Sequence, residues 1–163
     1  MSRLRRVHNF LANMGLILTD DPPKVVDTTG REWGDAVGGL QLSIREIAKE
    51  DPQQLAAISV VLRNVGSEVK TLRIPGWLSF YQIDVKRADA TPVPPTSYGK
   101  RLLKAEPAGE DIELSLAPGN ATETDLPIAT LFEMNAAGEY RVRVSCRLPE
   151  GEPLTSNELI IRV

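Results

Sequence analysis

The residues able to do chemistry in this 163-residue chain are few and scattered. It has one histidine, His8, and one cysteine, Cys146. A Ser-His-Asp or Cys-His arrangement would need His8, which stands in the N-terminal arm, beside a nucleophile in the body of the chain, and Cys146 reads as buried. Zinc is held by clustered Cys and His, and this pair makes no such set. Acidic pairs stand at Asp20-Asp21, Glu50-Asp51 and Glu110-Asp111, all in stretches that read as turns. Calcium is the ion such loops hold, but none has the EF-hand spacing, and solvated turn acids are the expectation. Gly38-Gly39 has neither the spacing nor the lysine of a phosphate-binding loop. Asn120-Ala121-Thr122 matches the glycosylation triplet and reads as a turn. The sequence therefore points to a non-catalytic protein with no cofactor and no metal.

The elements that would carry any site are short strands. Tyr140, Val142, Val144 and Cys146 alternate with Arg141, Arg143 and Ser145, which is the period of a strand with one apolar and one charged face. Gly138 supplies a turn before it. A Tyr at the start of such a strand closes the corner that leads into it in immunoglobulin-like folds. Cys146 continues the inward row, where a free thiol is a good buried filler, and a single cysteine excludes an intrachain disulfide.

The same alternation predicts strands at Leu40, Leu42 and Ile44, and at Ile58, Val60 and Leu62, the latter ended by Asn64-Val65-Gly66-Ser67. It predicts another at residues 69–74, one at 77–85 with Tyr81, Ile83 and Val85 on one face, and others at Ile112, Leu114 and Leu116 and at Leu159, Ile161 and Val163. Trp77 or Tyr81 is the expected central aromatic. Residues 88–98, with Pro92, Pro94 and Pro95, read as a stiff crossing loop, the alternative being a polyproline ligand. Residues 126–134 have a spacing closer to a helical turn. The expectation is an all-β, Ig-like sandwich of two antiparallel sheets with about seven or eight strands, spanning 33–163.

Ahead of it, residues 1–32 read as an amphipathic helix and extended arm. Leu4, Val7, Leu11, Met14 and Leu18 recur at spacings of three and four, with Phe10 beside them and Arg3, Arg5 and Arg6 alongside. A helix this short is marginal alone in water, so it needs its own sandwich, a partner or a membrane surface to lie on. Asp20-Asp21-Pro22-Pro23 stops it, and Trp33 is expected to pin the arm.

Net charge is −3 while the first 18 residues hold three arginines and no acid, so the body is acidic and the arm basic. No basic stripe of a nucleic-acid binder is present. No apolar run approaches the ~20 residues of a spanning helix, and the N-terminus makes a poor signal peptide.

The residues Trp33-Gly34, Gly39-Leu40-Gln41-Leu42, Val60-Val61-Leu62-Arg63-Asn64-Val65-Gly66, Tyr81-Gln82-Ile83-Asp84-Val85, Pro92-Val93-Pro94, Tyr98-Gly99, Leu116-Ala117-Pro118-Gly119, Gly138-Glu139-Tyr140-Arg141-Val142 and Ser156-Asn157 form an ordered pattern. It resembles bacterial Ig-like domains of the fibronectin-III-like and protease-inhibitor-like (BsuPI) kind, over 33–163. The resemblance implies the sandwich fold and no catalytic residue. Such domains are often appended to exported or membrane-associated bacterial proteins, so the compartment stays open between cytoplasm and a membrane-associated or periplasmic place. The leading expectation is an accessory or structural subunit docked into a protein assembly through Arg3, Leu4, Arg5, Arg6, Val7, Phe10, Leu11, Met14, Leu18 and Trp33. The alternatives are a sandwich that inhibits proteases or binds carbohydrate through loops 75–78 or 88–98, and a membrane-surface accessory protein.

Overall fold

Period-two alternation puts one row of apolar side chains on each strand, and facing rows must bury one another. The computed structural model describes residues 25–104, 111–149 and 151–163. Among them, in chain order, are β1 (Leu40–Glu46), β2 (Ile58–Asn64), β3 (Lys70–Ile74), α1 (Trp77–Phe80), β4 (Gln82–Arg87), α2 (Ser97–Lys104), β5 (Ile112–Leu116), β6 (Ala121–Leu126), α3 (Ile128–Leu131), β7 (Glu139–Arg147), β8 (Pro153–Thr155) and β9 (Leu159–Arg162).

The strands make an all-β sandwich in which every pairing is antiparallel. One sheet has the order β1-β2-β6, and the facing sheet pairs β4 with β7, whose other edge carries both β8 and β9. This is the strand partition of an Ig-like sandwich, with β1, β2 and β6 opposite β4, β7 and β9. The inward rows, among them Leu42, Val60 and Leu62 on one side and Val85, Val142 and Val144 on the other, belong to one hydrophobic cluster. Tyr81 takes the central aromatic place and is 2% exposed; the Trp77 side chain lies outside the description. Tyr140 closes the expected corner: its hydroxyl donates to the Ala136 carbonyl at 2.6 Å.

The structure adds to the two expected sheets a two-stranded ribbon, β3 with β5. It also divides the strand expected at 77–85. Ser79 and Phe80 N–H both donate to the Gly76 carbonyl, at 3.1 and 2.8 Å, so Pro75-Gly76 starts a helical turn and the strand begins only at Gln82. Tyr98-Gly99 lies in α2. Thr96 caps that helix, its Oγ1 accepting from Gly99 N–H at 2.9 Å. Gly99 is there for proximity: a Cβ would fall 2.0 Å from the Leu131 carbonyl oxygen, so glycine alone lets α2 lie on α3. Within α3, Ile128 and Leu131 are fully buried, as the helical spacing of 126–134 anticipates.

Asn120-Ala121-Thr122 leads into a strand rather than a turn. β6 escapes the alternation test because it reads ATETDL, with a hydroxyl where the inward row wants a hydrocarbon. That residue, Thr124, faces Val60 in register and is 1% exposed, and its hydroxyl has no partner among the described residues. A buried hydroxyl without a partner costs on the order of 1–3 kcal/mol. Thr124→Val is therefore expected to raise stability by about 1 kcal/mol, read as a higher urea midpoint at unchanged slope.

Candidate functional site

The chain enters the sandwich across the outward face of β1 and β2, and residues 31–34 are fastened there. Arg31 is buried, although it stands in a stretch that reads as linker. Its guanidinium donates to Glu123 Oε1 at 3.2 Å and to Ser59 Oγ, and Ser59 in turn donates to the same carboxylate. Arg31 Nε donates to the Asp27 carbonyl at 3.3 Å. Burial, and then the charge of Arg45, lower the Arg31 pKa; Glu123 and Asp27 oppose that shift. The pair is lopsided in exposure, the Arg31 side chain being fully buried and that of Glu123 22% exposed. Asp27 shapes the approach: Thr29 N–H donates to its carboxylate at 2.9 Å and holds its pKa below the usual value.

Trp33 is the single residue of the expected docking set that lies within the description. The Arg63 guanidinium carbon sits 3.6 Å above the centre of its ring, a cation–π contact. Arg63 also donates twice to Gln41 Oε1, at 3.1 and 2.6 Å, and Gln41 Nε2 donates to the Gly34 carbonyl at 3.1 Å. Gly34 is pressed between strands: its N–H donates to the Leu42 carbonyl at 3.0 Å, and a Cβ there would fall 1.8 Å from the Thr155 carbonyl oxygen. Trp33 thus holds the root of the arm to the sandwich. Val25, the first described residue, is 91% exposed. Arg3, Leu4, Arg5, Arg6, Val7, Phe10, Leu11, Met14 and Leu18 lie outside the described residues, as do His8, Asp20, Asp21 and Glu110.

The remaining candidates are absorbed by structure. Cys146 is 1% exposed, and burial pushes its thiol pKa up to about 12, so it is a neutral, buried thiol at neutral pH. Asp51 accepts Gln53 N–H at 2.9 Å on its side chain and Gln54 N–H at 2.9 Å on its carbonyl, closing its own turn. Among the described residues no three of His, Cys, Asp or Glu gather in a way that could hold a metal ion, and no helix is long and apolar enough to cross a membrane. The 88–98 loop is packed down: Val93 is buried, with its N–H on the Val85 carbonyl at 2.9 Å, and Pro95 bridges to Phe132.

One feature had no signal in the sequence. A trough of about 520 Å³ runs beside β3, lined by Thr71, Leu72, Arg73, Pro75, Ser79, Phe80, Gln82, Arg147, Leu148 and Pro149. A smaller hollow of about 100 Å³ shares Thr71, Leu72, Leu148 and Pro149 and brings in Lys70. Its cations sit on strands separated by tens of residues, and only folding brings them together.

No family model matches the chain, and no curated protein matches it. Among solved structures, β-glucosidase 3B from Thermotoga neapolitana is similar, in its complex with glucose (14% identity) and in its complex with α-D-glucose (15% identity). In both cases the TM-score is 0.32, and the match covers 96% of this chain and 20% of that one. The chain thus spans about a fifth of that enzyme's length, and a likeness this slight carries neither fold nor activity across.

Two outcomes are expected here. Glu123→Ala should cost more stability than Arg31→Met. The first strands a buried cation, at about 3 kcal/mol, whereas the second leaves a carboxylate that still reaches water; urea unfolding of both variants checks the order. The raised Cys146 pKa favours the neutral thiol in the folded state. Its contribution is therefore complete below pH 9.0 and is lost as pH rises toward about 12. Tyr81, raised above its usual 10.0 by burial, adds a later loss. In Cys146→Ala, the alkaline decline seen in thermal melts should begin near pH 10 instead of pH 9.

Proposed function

We propose that this protein is a non-catalytic interaction module, an accessory or structural subunit of bacterial Ig-like type that joins a larger protein assembly through its N-terminal arm. The observation that carries this reading is the fastening of the arm's root. Arg31 is buried in a three-way hydrogen-bonded cluster with Ser59 and Glu123, and Trp33 is clamped by Arg63. A buried arginine in a connecting segment costs desolvation that a free tether would avoid. What it supplies is a fixed point of departure for the chain.

The residues that precede this point carry the apolar stripe Leu4, Val7, Leu11, Met14 and Leu18 with the cations Arg3, Arg5 and Arg6. A short amphipathic helix presenting i, i+3, i+4 and i+7 anchors seats in an apolar groove of a partner, and its cations meet an acidic rim. A fixed root lowers the ordering cost of that docking, because fewer chain degrees of freedom are lost on binding.

Removal of residues 1–20 is expected to abolish co-purification of partners from the native organism while leaving the thermal unfolding midpoint within a few degrees, since the fastening residues remain. Retention of the same partners by the shortened chain would move binding to the sandwich loops. Flotation of the full chain with liposomes, lost on the same deletion, would replace the protein partner by a membrane surface.

A further inference from the structure

The edges of the two outer strands are treated differently. β1 has its free edge covered: Leu40 exchanges both backbone bonds with Val37, the Leu42 carbonyl takes Gly34 N–H, and Ile44 gives its N–H to Asn157 Oδ1 and takes Asn157 Nδ2 on its carbonyl. β3 pairs with β5 on one side, and among the described residues no further backbone or side-chain hydrogen bond reaches its backbone. The trough lies along that open side. Thr71 and Leu72 point to opposite faces of the strand, as their exposed and buried states show, yet both line it, so it follows the strand's edge rather than one face. On the opposite wall β4 starts at Gln82 opposite Ser145, so Cys146 and Arg147 of β7 extend past it.

The chemistry of this slot is uneven. Its floor is apolar, with Leu72, Phe80 and Leu148. Its rim is cationic: Arg73 and Arg147 are exposed on the two walls, and Lys70 stands at the adjoining hollow. Among the described residues, no carboxylate lines either hollow. None of the three cations makes an ion pair among the described residues, and Glu113, the register partner of Arg73, does not pair with it. An unpaired strand edge accepts an extended chain through main-chain hydrogen bonds, and alternate side chains of that chain then point to opposite sides.

We infer that the slot between β3 and the end of β7 binds an extended acidic peptide from another protein, added as a strand to the open edge of β3. Its apolar side chains lie on Leu72, Phe80 and Leu148, and its carboxylates meet Arg73, Arg147 and Lys70. This chain's own N-terminal stripe, with Arg3, Arg5 and Arg6, does not have the charge that complements the rim. The site is separate from the arm and does not depend on its role.

The test uses the full chain and two fluorescein-labelled ten-residue peptides, one alternating valine with glutamate and one alternating valine with lysine. Fluorescence anisotropy should show saturable binding of the glutamate peptide and at least tenfold weaker binding of the lysine peptide. The double variant Arg73→Glu, Arg147→Glu changes only exposed side chains, and circular dichroism should show it folded. It should weaken the glutamate peptide at least tenfold and strengthen the lysine peptide. Amide hydrogen exchange should show new protection at residues 71–73 on binding. Absence of binding, equal binding of both peptides, an affinity unmoved by the double variant, or binding without protection of β3 would each overturn the inference. Binding of phosphatidylserine vesicles through the same arginines, with β3 unprotected, would assign the charge to a lipid surface and overturn it too.

Discussion

A single side-chain amide joins the two sheets at the edge of the sandwich. Asn157 holds both backbone groups of Ile44, accepting its N–H at 2.9 Å and donating to its carbonyl at 3.1 Å. It does for one residue of β1 what a neighbouring strand would do. Its position comes from a bulge. β7 has two residues between Val142 and Ser145, whereas the strand facing it has three between Thr155 and Leu159. The extra residue bends the edge, as bulges do, and separates β8 from β9. Ser156 stabilises the bend from within: its N–H donates to the Val144 carbonyl at 2.8 Å, and its hydroxyl accepts Val144 N–H at 3.0 Å. With β1 held there, Leu40, Leu42 and Ile44 are fixed in the core, and the face that receives Arg31 and Trp33 is fixed with them.

The reach of sequence reasoning followed from how local each signal was. β1, β2 and β7 were legible because their inward rows alternate cleanly, and the Tyr140 corner was legible because it depends on a few adjacent residues. α1 was not, since four residues give no helical period. β8 is only three residues long. β6 was hidden by composition: its outward residues Glu123 and Asp125 serve the charged face over which the arm crosses, and its inward Thr124 breaks the apolar row. The role of Gly99 was not legible, because glycine signals both turns and close packing, and only the nearness of Leu131 tells the two apart.

The candidate sites were less legible than the fold, for the same reason. Trp33 could be expected to pack on the sandwich, since a large aromatic in a connecting stretch seldom stays in water. Nothing local distinguished Arg31 from any exposed arginine. Its burial is created by Ser59 on β2 and Glu123 on β6, both far from it in the chain. The outward face of β1 and β2 is consequently a second interior, in which Ser43, Ser59 and Val61 are as hidden as core residues. This explains why β2 is buried along nearly its whole length, a pattern otherwise typical of strands covered on both sides.

The open side of β3 has a colloidal consequence. A bare strand edge is a template for any other chain, including a second copy of the same one. Two molecules meeting along β3 would bring Lys70, Arg73 and Arg147 of one against the same three cations of the other. Mutual repulsion therefore guards the edge, over a range that dissolved ions shorten to roughly 8–10 Å at physiological strength and about 3 Å in molar salt. The protein should be most dispersed in dilute buffer and increasingly self-associating as electrolyte is added, the reverse of a protein held together by surface ion pairs.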